Sequence, residues 1–207
     1  MNKNIRLIFT IVVVFFLAMA CSKTYQIPIN KDTVEPGGVV QRGEQKFQLL
    51  GTPVQKGMTL PDTALVDANT MDDFSFSQIR GKVAIISIVP SIDTKVCEAQ
   101  THYLGEQGDR LPASILRITV SRDTPFAQKR FAEEAKLKDV QFLSDYRDGA
   151  FGLATGLLID KIKLLARSVI VVDKSGKIQY IQVVPQLGEL PDMEKAFDIA
   201  DRLSEQP

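Results

Sequence analysis

One run of apolar residues constrains the fold of this chain more than any other feature. Residues 83–89 read Val-Ala-Ile-Ile-Ser-Ile-Val, with a single polar side chain. A short continuous apolar run, bounded here by Gly81 and Pro90, is typical of a strand buried on both faces, whereas a half-exposed strand alternates apolar and polar residues. We therefore expect a sheet that is covered on both sides.

Further strand and helix patterns alternate along the chain on both sides of this run. The predicted strands are residues 64–67, 115–120, 140–143, 168–172 and 177–183, and the predicted helices are residues 96–110, 125–136, 148–155 and 191–204. An N-terminal β-hairpin is predicted from residues 46–50 and 54–56. This order predicts an α/β fold of the thioredoxin-like class, with a central mixed sheet flanked by helices.

The first twenty residues carry the pattern of an export signal. Lys3 and Arg6 precede the stretch Leu7–Ala20, in which Thr10 is the only polar side chain, so we predict a signal peptide over residues 1–20. As a helix this stretch spans about 21 Å, short of a hydrocarbon core of about 30 Å, which disfavours a permanent transmembrane helix. An ordinary buried N-terminal helix is the weakest alternative.

Small residues then lead into a cysteine. Residues 17–22 read Leu-Ala-Met-Ala-Cys-Ser, a pattern that resembles the bacterial lipobox, which is cleaved just before a lipid-modified cysteine. We predict lipidation of Cys21, a membrane-anchored, exported lipoprotein facing the periplasm or the cell exterior, and a flexible tether over residues 21–45. Ala18 stands where leucine is commoner, so plain signal-peptide cleavage stays open. A lipidated Cys21 leaves Cys97 as the only free thiol of the mature chain.

The remaining residues, 46–207, are enough for one compact domain and too few for two. The 25 Lys and Arg are balanced by 25 Asp and Glu, which gives no electrostatic basis for nucleic-acid binding. One His and two Cys exclude a multi-His metal site and a Cys-rich zinc or iron–sulfur site within one chain. They also exclude a scaffold held together by several disulfides.

Cys97 lies where the buried strand passes into a helix. It falls in the first helical turn, where unpaired backbone N–H groups and the helix dipole favour the nucleophilic thiolate. Thr94 can donate a hydrogen bond to the sulfur, and Pro90 shapes a pocket that shields it. Arg167, before the strand 168–172, offers a guanidinium that can hold the sulfur and a substrate's oxygens together. From these residues alone, an inert core cysteine, a helix-capping threonine and a surface arginine stay open.

A series of motifs extends from the Cys97 region toward the C-terminus. Residues 90–100 read Pro-Ser-Ile-Asp-Thr-Lys-Val-Cys-Glu-Ala-Gln, and further motifs follow at residues 121–131, 143–147, 164–169, 184–185 and 191–192. Together they resemble the bacterial thiol peroxidases, a branch of the peroxiredoxins with a thioredoxin fold. The resemblance implies reduction of hydrogen peroxide and alkyl hydroperoxides, and it suggests a homodimer. It assigns Cys97 as the peroxidatic cysteine, Thr94 as its hydrogen-bonding partner, Arg167 as the activating cation and Pro90 as the pocket former.

Two positions depart from the pattern of that family. Its resolving cysteine follows the Arg-Phe that comes after Pro-Phe-Ala-Gln, and here that position holds Ala132. The family's intramolecular disulfide is therefore excluded, and we expect oxidised Cys97 to be reduced by an external thiol, from a thioredoxin-like protein or a small molecule. Residues 160–163 replace a stretch that is richer in Gly and Pro in the family, so the shape of this substrate loop stays open.

We therefore interpret the chain as a one-cysteine thiol peroxidase that needs neither a metal nor an organic cofactor. His102, five residues beyond Cys97, is assigned to the surface, because a helix turns that position away from the sulfur. Phe74 and Phe76 are assigned to the core. Two other functions stay open: a peroxide-sensing redox adaptor that forms mixed disulfides, and a non-catalytic structural lipoprotein.

Overall fold

The computed structural model describes residues 26–206 of the chain. The predicted signal peptide, residues 1–20, and the predicted lipidation of Cys21 lie outside the described residues and stay predictions. Across residues 26–206, no helix combines the length and the apolar character that crossing a bilayer requires.

Strands and helices alternate from residue 39 to residue 204. The strands are β1 (Val39–Arg42), β2 (Gln45–Leu50), β3 (Leu65–Asp67), β4 (Asp73–Phe74), β5 (Ala84–Ile88), β6 (Leu116–Ser121), β7 (Gln141–Ser144), β8 (Leu158–Ile159), β9 (Ser168–Val172) and β10 (Ile178–Val183). The α-helices are α1 (Lys95–Glu106), α2 (Pro125–Ala135), α3 (Ala150–Thr155) and α4 (Met193–Ser204), and short 3-10 helices cover Phe76–Ile79 and Gln107–Arg110. The predicted order is confirmed from β3 onward, apart from the two-residue strands β4 and β8, which are too short to carry a pattern.

Seven of the strands form a central mixed sheet, in the order β10-β9-β5-β6-β7-β3-β4. β5, β6 and β7 are parallel, whereas β9 runs antiparallel to β5 and places Ser168 opposite Ile88. Because the carboxyl end of β5 and the amino end of β9 share one edge, residues 90–97 and Arg167 are brought together there. A separate three-stranded sheet has the order β1-β2-β8.

The central strand β5 is buried on both faces, as its apolar run predicts. Ile86 and Ile88 belong to a core cluster that also contains Phe47 of the smaller sheet. Ile85 belongs to a second cluster, with Leu104 of α1 among its members. Alternate side chains of a strand point to opposite faces, so the two clusters are the two sides of one sheet. Phe74 and Phe76 are buried in the first cluster, which confirms their assignment to the core.

The N-terminal hairpin differs from the predicted one. β1 pairs with β2 about Gly43-Glu44, with Arg42 opposite Gln45, whereas residues 54–56 form no strand. Gly43 has φ of 62°, a left-handed conformation that glycine adopts without steric cost. The sequence pattern missed β1 because only Val40 of its four residues is fully buried.

Residues 28–42, here called the N-terminal arm, pack on the domain. Ile29 forms a parallel bridge with Leu190, and the Val34 N–H donates to the Val183 carbonyl at 3.0 Å. The predicted flexible tether over residues 21–45 is therefore wrong for the arm, and the folded domain begins before residue 46. Most of these contacts are made by backbone groups, which every residue carries, so the sequence does not reveal that the arm is packed.

Candidate active site

The site lies at the junction of β5 and α1. Cys97 occupies the first turn of α1, as predicted, and it is fully buried. Thr94 is the N-cap residue of α1, yet its side chain makes no capping hydrogen bond. Its hydroxyl donates instead to the Cys97 sulfur, with 3.0 Å between Oγ1 and Sγ. The structure thus connects Thr94 to the sulfur and not to the helix backbone.

Arg167 makes the second polar contact with the sulfur. Its Nη2 atom lies 3.2 Å from Cys97 Sγ, although the two residues are 70 positions apart in the sequence. The arginine is only 2% exposed, so its charge acts on the sulfur with little screening by solvent. A guanidinium and a hydroxyl directed at one sulfur stabilise negative charge there and leave the thiolate a good nucleophile.

Three acceptors fix the orientation of the Arg167 guanidinium. Besides Cys97, they are the Gln100 side chain, whose Oε1 lies 2.7 Å from Nη1, and the Leu187 carbonyl, 3.0 Å from Nε. Gln100 is fully buried, and its Nε2 donates to Ser87 Oγ at 2.8 Å. Sequence reasoning did not single out Gln100. Its position three residues after Cys97, on the same helix face, was the available signal.

Asp123 holds the loop that leads into α1. Its carboxylate accepts hydrogen bonds from Ser91 Oγ and from the Ile92 N–H, each at 2.8 Å, and from Ser121 Oγ at 2.6 Å. The next residue, Thr124, caps α2, because its side chain accepts from the Ala127 N–H. Asp123 therefore serves the loop before Cys97, a contact that a linear pattern does not reveal.

Apolar side chains pack around the Cys97 sulfur. Val89, Ile92 and Cys97 form one small cluster, against which Ala127 and Phe131 of α2 pack. Pro90 is half-buried and joins Val89 to this loop, where its missing N–H and fixed φ suit a sharp exit from the strand. These apolar side chains bury the sulfur, while Thr94 and Arg167 supply its polar contacts.

Two other sequence positions lie apart from the sulfur. His102 pairs through Nδ1 with Glu106 Oε1 at 2.8 Å and is partly exposed, in agreement with its assignment to the surface. Ala132, at the position of the family's resolving cysteine, is half-buried on α2 and packs against the cluster that contains Leu104 and Phe142. Cys97 is the free cysteine of the described residues.

Arg122 joins the loop of residues 160–163 to the loop that contains Asp145. Its Nη1 donates to the Lys163 carbonyl at 2.7 Å, and its Nε donates to the Asp145 carbonyl at 3.0 Å. Burial raises the pKa of the Asp145 carboxyl, although backbone N–H groups of α3 donate to it.

The loop of residues 160–163, where the sequence departs from the family, has a left-handed backbone at two positions. Lys161 and Lys163 have φ of 65° and 55°. Glycine would adopt this conformation more easily than lysine does.

In the part of the chain from residue 26 to residue 206, His, Cys, Asp and Glu form no group of three or more placed to hold a metal ion.

Comparison with known proteins gives a consistent result. The family model described as Redoxin matches residues 55–197. The chain is 40% identical over 155 residues to a thiol peroxidase of Bacillus subtilis, covering 75% of this chain and 92% of that protein. It is 41% identical over 152 residues to a thiol peroxidase of Halalkalibacterium halodurans, covering 73% and 90%.

A solved structure supports the fold. A peroxiredoxin-like protein from Aquifex aeolicus superimposes with a TM-score of 0.74 and 30% identity, covering 80% of this chain and 96% of that one. The predicted thioredoxin-like architecture, a mixed sheet with flanking helices, is thereby confirmed.

Proposed function

Because the chain belongs to the Redoxin family and is a thiol-dependent peroxidase, we propose that Cys97 is its single redox-active cysteine and that an external thiol restores it. One observation carries this proposal. The Cys97 sulfur lies within hydrogen-bonding distance of both Thr94 and Arg167, whereas Ala132 occupies the position at which the family's resolving thiol is found.

The arrangement supports nucleophilic attack on a peroxide. The Cys97 thiolate attacks the terminal peroxide oxygen, a sulfur–oxygen bond forms as the oxygen–oxygen bond breaks, and the leaving oxygen departs as water or an alcohol after taking a proton. The sulfur is oxidised to sulfenic acid and the peroxide is reduced. Arg167 and Thr94 donate toward the reacting atoms and stabilise the charge that develops during bond cleavage.

Recovery of the enzyme needs thiols from outside the chain. A first external thiol attacks the sulfenic sulfur, water leaves, and a mixed disulfide forms. A second thiol then attacks the reductant's sulfur and releases the reduced Cys97. A thioredoxin-like protein supplies both thiols from one molecule, whereas a low-molecular-weight monothiol supplies them from two molecules.

The test is stopped-flow oxidation of the reduced full chain by hydrogen peroxide and by an alkyl hydroperoxide, with dimedone trapping of sulfenic acid. We expect oxidation far faster than that of a free thiol, a dimedone adduct on Cys97, and no peroxide consumption by Cys97→Ser. Unchanged peroxide consumption by Cys97→Ser would refute the proposal. A long-lived mixed disulfide with one exported protein, without turnover, would favour a redox adaptor instead.

We further propose that the chain is an exported lipoprotein anchored to a membrane through Cys21. The apolar stretch Leu7–Ala20 and the small residues before Cys21 support this. Because the arm is packed from residue 28 onward, the chain between Cys21 and Pro28 reaches at most about 25 Å when fully extended. Mass spectrometry of the mature N-terminal peptide tests the anchor: an acylated Cys21 supports it, and an unmodified N-terminus refutes it.

The resemblance to thiol peroxidases also supports a homodimer. Analytical ultracentrifugation of the full chain in detergent decides this point, with a sedimenting species of twice the chain mass expected and a monomer at all concentrations contradicting it.

A further inference from the structure

One of the groups that orient Arg167 is a backbone carbonyl on a loop. Leu187 lies in residues 184–190, here called the 184–190 loop, and its carbonyl accepts the hydrogen bond from Arg167 Nε. A backbone carbonyl is positioned only as well as the loop that carries it. The contacts that hold the 184–190 loop therefore also determine where the Leu187 carbonyl lies.

The N-terminal arm holds this loop at both ends. Gln41 in β1 donates its N–H to the Pro185 carbonyl and accepts from the Leu187 N–H, both at 2.8 Å. At the far end, the Leu190 N–H donates to the Pro28 carbonyl at 2.8 Å. The Asn30 N–H donates in turn to the Leu190 carbonyl at 2.8 Å.

The start of the arm is itself fastened to β10, the strand that precedes the loop. The Val183 N–H donates to Thr33 Oγ1 at 3.0 Å. The Gln182 side chain, 2% exposed, donates to the carbonyls of Asn30 and Asp32 at 2.8 Å and 3.0 Å. A buried amide that takes both of its acceptors from the arm indicates a persistent contact, because an unpaired buried donor is costly.

We propose that the N-terminal arm positions the Arg167 guanidinium through the Leu187 carbonyl, and so sets the rate at which Cys97 reacts with peroxide. The proposal rests on the peroxidase chemistry assigned to Cys97. Arg167 donates to three acceptors that belong to different parts of the fold, namely Cys97 and Gln100 on α1 and Leu187 on the loop. Displacing the loop removes the acceptor of Nε and frees the planar guanidinium to rotate away from the sulfur.

Gln41 offers a specific test, because its N–H and carbonyl both face the loop and not β2. Gln41→Pro removes the N–H that bonds to the Pro185 carbonyl, and because this N–H faces the loop, its loss takes no hydrogen bond from the pairing of β1 with β2. Gln41→Ala is the matched control, since it keeps the backbone N–H and loses only a partly exposed side chain. Both variants are made in the full chain, and their folding is checked by circular dichroism.

The readout is the second-order rate constant for oxidation of Cys97 by hydrogen peroxide. We expect Gln41→Pro to lower it roughly tenfold, the equivalent of one hydrogen bond, and Gln41→Ala to leave it unchanged. The same pair is then made in an Arg167→Lys background. Lysine has no Nε–H for Leu187, so Gln41→Pro should cause no further loss there if the arm acts through Arg167.

A folded Gln41→Pro with the wild-type rate would overturn the proposal, as would an equal loss in the wild-type and Arg167→Lys backgrounds. If Gln41→Pro does not fold, Thr33→Val replaces it in the same cycle, because valine has a similar shape but cannot accept from the Val183 N–H. A slow reaction of the wild-type chain would refute the proposed peroxidase function, which is a distinguishable result.

Discussion

At the scale of single residues, Thr94 shows how the site departs from ordinary helix chemistry. An N-cap threonine usually accepts a hydrogen bond from its own helix, at a typical gain of about 1 kcal/mol. Here the hydroxyl donates to Cys97 Sγ instead. Helix α1 thus forgoes a capping bond, and the sulfur gains a donor.

The contribution of this hydroxyl is measurable. Thr94→Val keeps the shape of the side chain but removes the donor, so we expect the rate of Cys97 oxidation by peroxide to fall roughly ten- to a hundredfold. Thr94→Ser keeps the hydroxyl and should retain most of the rate. Stopped-flow kinetics compare the three proteins, and equal rates for valine and threonine would show that the contact has no kinetic role.

The sequence identified only part of this site. Cys97, Thr94, Arg167 and Pro90 were predicted from a strand-to-helix junction and a family motif, and the structure brings the first three into direct contact. The Leu187 carbonyl could not be predicted, because any residue has one and its placement depends on the tertiary fold. Gln100 has a side-chain signal, but its role depends on a partner 67 residues away.

At the scale of secondary-structure elements, the turn between β9 and β10 rests on one carboxylate. Asp173 accepts from the N–H groups of Ser175 and Lys177 at 2.8 Å and 3.0 Å, and from the Gln179 side chain at 2.6 Å. Burial alone would raise the pKa of Asp173, but these hydrogen bonds outweigh it and the pKa lies below the ordinary value of 3.8.

This lowered pKa predicts a pH-dependent contribution to stability. A depressed carboxyl pKa contributes stability above the unfolded value, near pH 4, and that stability is lost as the pH falls through the folded pKa. We expect Asp173→Ala to lower the free energy of unfolding by about 1–2 kcal/mol at pH 7 and by progressively less in acid, as the carboxylate takes up a proton. Asp173→Asn, which keeps one acceptor oxygen, should fall between. Urea unfolding at several pH values measures this, and a pH-independent difference would contradict it.

Elements were predicted well where their own residue pattern carries the information. β5 and β9 are buried runs whose residues are apolar on both faces, and such runs are visible in the sequence. β1 was missed because its pairing depends on a turn at Gly43 and on backbone contacts with residues 185–187. Short strands on the periphery are determined by their neighbours more than by their own residues.

At the scale of the whole molecule, the position of Ala132 determines how a cysteine introduced there could form a disulfide with Cys97. Cys97 lies in one apolar cluster and Ala132 packs against another, whereas a disulfide requires Cα atoms about 4.4–6.8 Å apart. Because the two side chains pack in different clusters, we expect a thiol placed at position 132 to reach the sulfenic acid only after α2 opens.

We expect Ala132→Cys to form an intramolecular disulfide after one equivalent of peroxide, more slowly than Cys97 is oxidised, because helix opening precedes bond formation. Ala135→Cys, one turn further along α2, is the control and should yield little of it. Mass spectrometry under non-reducing conditions follows the reaction. A persistent sulfenic acid in Ala132→Cys would show that α2 stays closed.

The N-terminal arm also covers part of one outer edge of the central sheet. β10 is the last strand on that side, and the backbone of Val183 is already paired with Thr33 and Val34. On the opposite side the sheet ends in β4, which has only two residues. Long unpaired strand edges are templates on which other chains add and aggregate. The segment that orients the active-site arginine thus also covers the Val183 end of this edge, which leaves less of it free to pair with another chain.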